Sequence, residues 1–203
     1  MITDLLQIVL LFVLPVALIQ TGIFPIKYRM VLLGILVVAI LGIVRAENWT
    51  LSQLGIRTDN LSESLIPHAL FTVAGVLALA LVAKKLGRRA EGNWYKHPHF
   101  LGQFIPISVA QVFAYRSFLI PELSNIISSP WFVILGHTVL FTYLHIIFPN
   151  RKVNLPVSFL GGLGFGALYY FYPNFYAAAL AHICLNFAAV YYGFFGLTKV
   201  PER

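Results

Sequence analysis

The chain has 203 residues, of which 59% are hydrophobic and only 10% charged, with a formal net charge of +7 and a mean hydropathy of +0.83. A soluble domain of this length needs far more surface charge, so that class is excluded. The apolar residues fall in runs of about 20, enough helix to cross roughly 30 Å of hydrocarbon, and the short alternating strands of a transmembrane barrel are not visible.

The expected fold is therefore all-α, a polytopic transmembrane helical bundle of about seven spans. The first run covers residues 5–25 and is interrupted by Pro15, which membrane helices tolerate. Its flank carries Asp4 without Lys or Arg, so it does not read as a cleaved signal peptide. Lys27 and Arg29 precede a second run at 30–45. Residues 46–65 are polar and predict a loop with a short surface helix around Thr50–Arg57. The sequons at Asn48 and Asn60 carry meaning only in a eukaryotic secretory pathway, and chance occurrence is the better reading. A third run, 66–83, leads into a basic loop with Lys84, Lys85, Arg88, Arg89 and Lys96. The remaining runs are 99–120, 131–148, 155–172 and 175–197, punctuated by Pro121, Pro130, Pro149 and Pro173. No repeat or soluble domain interrupts them, so residues 1–203 read as one membrane domain.

Basic residues orient the bundle. Seven spans gather Lys27, Arg29, Lys84, Lys85, Arg88, Arg89, Lys96, Arg151, Lys152, Lys199 and Arg203 on one side and leave Arg45 and Arg57 on the other. The N-terminus is expected outside and the C-terminus in the cytoplasm, where the basic loops meet anionic lipid headgroups. Nothing calls for nucleic acid. Cys184, the single cysteine, excludes an intrachain disulfide and a Cys-based zinc cluster, and is expected to be a small buried packing residue. The sixth run holds Gly161, Gly162, Gly164 and Gly166. With no strand before it this is not a dinucleotide loop, whereas Gly162 and Gly166 form a GxxxG pair suited to close helix packing.

Three runs carry polar side chains at helical spacing. Gln103, Ser108, Gln111 and Tyr115 form a stripe on the fourth; Phe141 and His145 share a face of the fifth; His182 and Asn186 share a face of the seventh. Polar residues inside a membrane mark a functional site by default, although interhelical hydrogen bonding alone accounts for many of them. His137, His145 and His182 can be imagined as three zinc ligands, with His145 and His182 the leading metal candidates. His68, His97 and His99 fall at span edges and read as interfacial. Counted from the loop ends, His145 lies nearer the cytoplasmic face than His182 and Gln111.

Over about residues 98–196 the chain resembles the CPBP family, the CAAX-protease and bacteriocin-processing (Abi) membrane proteins. The family's F-x-x-x-H is matched by Phe141…His145 and its H-x-x-x-N/D by His182…Asn186. Its E-E-x-x-x-R is matched only at Arg116, because Gln111 and Val112 stand at the glutamate positions. Leu54-Gly55-Ile56-Arg57 is a weaker echo upstream. The resemblance implies an intramembrane endopeptidase acting on membrane-associated, possibly prenylated, peptides or proteins. In it a glutamate activates water, the histidines assist, and the asparagine holds the oxyanion. It thus implies catalytic roles for Gln111, Arg116, His145, His182 and Asn186. Gln111 can orient a water but cannot deprotonate it. The nearest downstream acid, Glu122, shares its helical face but lies about 16 Å along the axis. A family relative that binds a peptide, lipid or membrane partner without cutting is the alternative.

Overall fold

The computed structural model describes residues 2–88, 98–148 and 150–194. Seven helical rods follow one another there: α1 (Ile2–Gln20), α2 (Ile26–Ala46), α3 (Leu61–Lys85), α4 (Pro98–Val112, continued by Phe113–Phe118 and Leu119–Ile126), α5 (Pro130–Ile147), α6 (Arg151–Phe171) and α7 (Phe175–Tyr191). No strand occurs among the described residues. α1, α2, α3, the Phe104–Ile126 part of α4, and α5 are each long and apolar enough to cross a membrane. α6 is 21 residues long but begins with Arg151 and Lys152, and α7 has only 17. The chain is an all-α integral membrane protein.

The apolar surplus faces outward. Val38, Leu70, Leu77, Leu81, Trp131, Phe132 and Leu160 are all exposed, a surface that water would penalise and lipid does not. Polar residues take the interior instead, with Arg116, His137, His182, Ser108 and Thr138 buried. The two glycines of the GxxxG pair let α6 approach α5. A Cβ on Gly162 would stand 3.1 Å from the Phe141 ring, and one on Gly166 would stand 2.7 Å from His137 Nδ1.

Several local expectations are corrected. Residues 49–60 form successive turns rather than a surface helix, and α3 starts earlier than expected, at Leu61. Those turns are anchored to the far end of α6 and α7. Tyr169 Oη donates to Leu54 O at 2.6 Å, and Phe175 N donates to Gly55 O at 2.8 Å. Asn174 Nδ2 donates to Arg57 O and Asn60 Oδ1, while its Oδ1 caps α7 by accepting from Ala177 N at 3.0 Å. Outside the spans, the Arg57 guanidinium bonded to Asp59 holds that carboxyl below the usual carboxylate range. The seventh run also stops early, at Tyr191, because Gly193 turns left-handed at φ +70° and lets Phe194 N bond Ala189 O. In α1, the wide π-turn Val9–Val13 just ahead of Pro15 absorbs the proline's missing donor.

Gly55 sits at φ +67°, and a Cβ there would collide with the Tyr169 hydroxyl. Gly55→Ala is therefore expected to lower stability by more than about 1 kcal/mol. Thermal unfolding of the detergent-solubilised protein checks this, and an unchanged midpoint would mean the loop is not an anchor.

Candidate active site

The site is built where α4, α5, α6 and α7 meet. Its backbone peculiarity is the π-turn Phe113–Phe118 in α4. An extra residue per turn rotates everything beyond it, and such bulges recur at functional sites. The polar stripe of α4 is consequently split. Ser108 and Gln111 face α7, whereas Tyr115 packs against Phe12 of α1 at 5.0 Å and Phe141 of α5 at 5.7 Å. Val112 is fully enclosed in the apolar core. The two glutamate-equivalent positions thus have separate roles, one at the site and one in the packing.

His182 is the meeting point of the motifs. Its Nε2 lies 3.1 Å from Gln111 Oε1 and 3.0 Å from Asn186 Nδ2, and Asn186 Nδ2 in turn reaches Ser108 Oγ at 3.2 Å. These contacts compete for one nitrogen. If Nε2 carries the proton it donates to Gln111, and Asn186 must turn its oxygen inward. If Nε2 carries the lone pair it accepts from Asn186, and the Gln111 oxygen is left for another donor. A site that holds both options open can pass a proton.

Phe141 is the hub of the aromatic wall. Its ring lies 4.7 Å from His145, 6.0 Å from His137 and 6.1 Å from His182. α5 passes into a tighter turn, His145–Ile147, at its C-terminal end. His145 then folds back, its Nδ1 donating to Phe141 O at 2.8 Å, which leaves Nε2 as the acceptor nitrogen. The imidazole thus packs on the Phe141 ring, 4.7 Å between centres.

Arg116 lies behind this wall. It is fully buried, with its guanidinium carbon 4.5 Å from the ring centres of both Phe141 and Phe165. Nε, Nη1 and Nη2 have no hydrogen-bond partner among the described residues. Cation–π contact with a desolvated ring contributes roughly 2 kcal/mol, against several kcal/mol for removing the charge from solvent. The arginine is a net liability to stability. Phe165, its second ring, carried no signal in the sequence, because the pairing joins two helices.

Other expectations move. His68, read as interfacial, is buried in α3 with Nδ1 donating to Ser64 O at 2.7 Å, and Cys184 is exposed rather than buried. His97 and the side chains of His99 and Gln103 lie outside the described residues. Glu122 is buried on the α1 side of α4, where its neighbouring charges are Asp4 and Glu47 rather than the histidines. Among the described residues no three His, Cys, Asp or Glu side chains are grouped to hold a metal ion. His145 and His182 therefore have no third ligand of these types grouped with them, short of the three protein ligands that zinc takes.

The geometry defines a class: a helical membrane protein whose interior converges Gln, His and Asn from two helices beside an aromatic-bound arginine. Residues 93–188 match the family model described as Rce1-like, type II CAAX prenyl endopeptidase, which supports the CPBP/CAAX-protease resemblance over that segment. All three motifs fall inside the match. Neither the curated proteins nor the solved structures contain a match.

Because an apolar replacement for a buried unpaired charge is neutral or favourable, Arg116→Met is expected to keep or raise the unfolding midpoint. A loss of more than about 2 kcal/mol would mean the guanidinium has a structural partner.

Proposed function

We propose that this CAAX-protease-like membrane protein hydrolyses peptide bonds of membrane-associated substrates, with His182 as general base in place of the absent glutamate. The observation that carries the reading is the approach of Gln111 Oε1 and Asn186 Nδ2 to within 3.1 Å of a single nitrogen, His182 Nε2. A water entering between Gln111 and His182 donates a hydrogen bond to Gln111 Oε1, keeping that proton, and gives its other proton to His182 Nε2. Its oxygen attacks the scissile carbonyl, and His182 then returns the proton to the leaving amide nitrogen. Asn186 is assigned to the oxyanion, and Arg116 supplies the positive potential behind it. The residues form one membrane domain over 1–203, with its catalytic core at about 98–196.

A second reading rests on a specific feature. Gln111 cannot act as a base and no described carboxylate approaches Arg116, which favours a silent relative that binds a membrane-borne peptide without cutting it. Cleavage of a pool of prenylated and unprenylated peptides by the protein in liposomes, read by mass spectrometry, separates the two. The hydrolase reading expects turnover that falls at least about 100-fold in His182→Ala. An inert wild type together with an active Gln111→Glu would establish the silent reading. Inertness of both would end the hydrolytic assignment for this site. Since Val112 is packed in the core, the single change at Gln111 is the appropriate restoration.

We also propose that the C-terminus is cytoplasmic, supported by the eleven basic residues on that side. A C-terminal fluorescent-protein fusion is expected to be bright and a C-terminal alkaline phosphatase fusion silent. The opposite pattern would invert the topology.

A further inference from the structure

The bundle sorts its charges by end. The described acids Asp4, Glu47, Asp59, Glu63 and Glu122 all lie at the end where the Leu54–Arg57 turns meet α6 and α7. At the opposite end the α1–α2 turn meets the α5–α6 turn, and Lys27, Arg29, Arg151 and Lys152 come together there, all exposed. Arg151 Nη2 donates to Gln20 Oε1 at 3.0 Å, and the Arg29 guanidinium carbon stands 5.9 Å from the centre of the Phe148 ring. Both arginines are thus held by neutral groups, which fix the side chain and leave its charge uncompensated. Among the described residues no ion pair joins any of the four cations to an acid. α2 and α6 each open on two of these cations with no acid in the first turn, where the helix dipole is itself positive.

The surroundings point to a lipid rather than a soluble anion as the counter-charge. Ile23 and Ile26 are exposed beside the cations, and Lys27 Nζ lies 5.1 Å from the ring centre of the exposed Tyr28. Val31, Ile35 and Val38 then continue at helical spacing down an exposed face of α2. A soluble phosphate gains nothing from that apolar strip. A phospholipid meets both features at once, its phosphate on the cations and its chains on the hydrocarbon below. Tyr28 stands at the level where membrane proteins place tyrosine, and basic pockets between membrane helices recognise anionic headgroups.

We propose that this junction is a binding site for an anionic phospholipid, with its phosphate between Arg29 and Arg151 and an acyl chain along Val31, Ile35 and Val38. It differs from the general attraction of a basic surface, because two guanidinium groups from two separate hairpins are held in place for one headgroup. Lys84 and Lys85 lie at the same end of the bundle, outside this junction, and so measure the general attraction alone. The site is separate from the His182 chemistry and holds whether or not that site cuts.

The probe is a phosphatidylglycerol with a diazirine on its headgroup, a minor component of phosphatidylcholine vesicles that contain the full chain. Irradiation followed by peptide mapping is expected to label the segments around Lys27–Arg29 and Arg151–Lys152. Excess unlabelled phosphatidylglycerol should remove the label, whereas phosphatidylcholine of the same chains and soluble glycerol phosphate should not. Arg29→Gln with Arg151→Gln should weaken competition by phosphatidylglycerol about thirtyfold, as two basic contacts near the surface require. Lys84→Gln with Lys85→Gln should change it less than about threefold. Equal competition by phosphatidylcholine would overturn the proposal, and so would an equal loss in the two double variants. Displacement by glycerol phosphate as effective as by the lipid would make this a soluble-anion site and overturn it too. The comparison of competitors uses the wild-type protein, so misfolding of a variant leaves the test intact.

Discussion

A charge buried against two aromatic rings governs how this bundle is put together. Arg116 can remain in the interior only because Phe141 and Phe165 offer it their faces from two different helices, and those helices can come that close only because Gly162 and Gly166 carry no side chain. The ring of Phe141 then serves His137, His145, His182 and Tyr115 as well. Replacing the hydrocarbon of a packed core by one cation and several imidazoles is not how a membrane protein gains stability.

The hydrogen bonds around His182 carry the same logic at smaller scale. Two side chains, Gln111 and Asn186, compete for one ring nitrogen, and with their amides oriented as they are no single position of its proton satisfies both. In a water-filled cleft solvent would absorb the mismatch. Where the flanking amides are half-buried, the mismatch leaves the imidazole able to change partners. Substituting a carboxylate by the amide of Gln111 preserves the shape of this cluster while removing its strongest base.

Much of this was legible in the sequence. Runs of apolar residues do not depend on tertiary context, and all seven reappear as helices. The spacing of His182 and Asn186, four apart on one helix, carried their proximity directly. What failed involved relations between helices. The π-turn at Phe113–Phe118 is a backbone choice with no residue signature, and it turned Tyr115 away from Gln111. Cys184 and His68 exchanged their expected environments because an apolar run, hydrophobic all round, does not declare which side meets lipid. The turn at Leu54–Arg57 looked like a helix in isolation, and its true partners lie more than a hundred residues away.

Those distant partners bear on the order of assembly. During synthesis α1 to α3 enter the bilayer before Tyr169, Asn174 and Phe175 have been made. The segment between α2 and α3 must therefore wait, with Leu54 O, Gly55 O and Arg57 O lacking their eventual donors, until the last hairpin arrives. Closure of α6 and α7 onto it is the step that converts inserted helices into one body, and contacts so far apart in the chain make that step slow. This end of the protein is thus its last part to form, even though its loop is among the first parts translated.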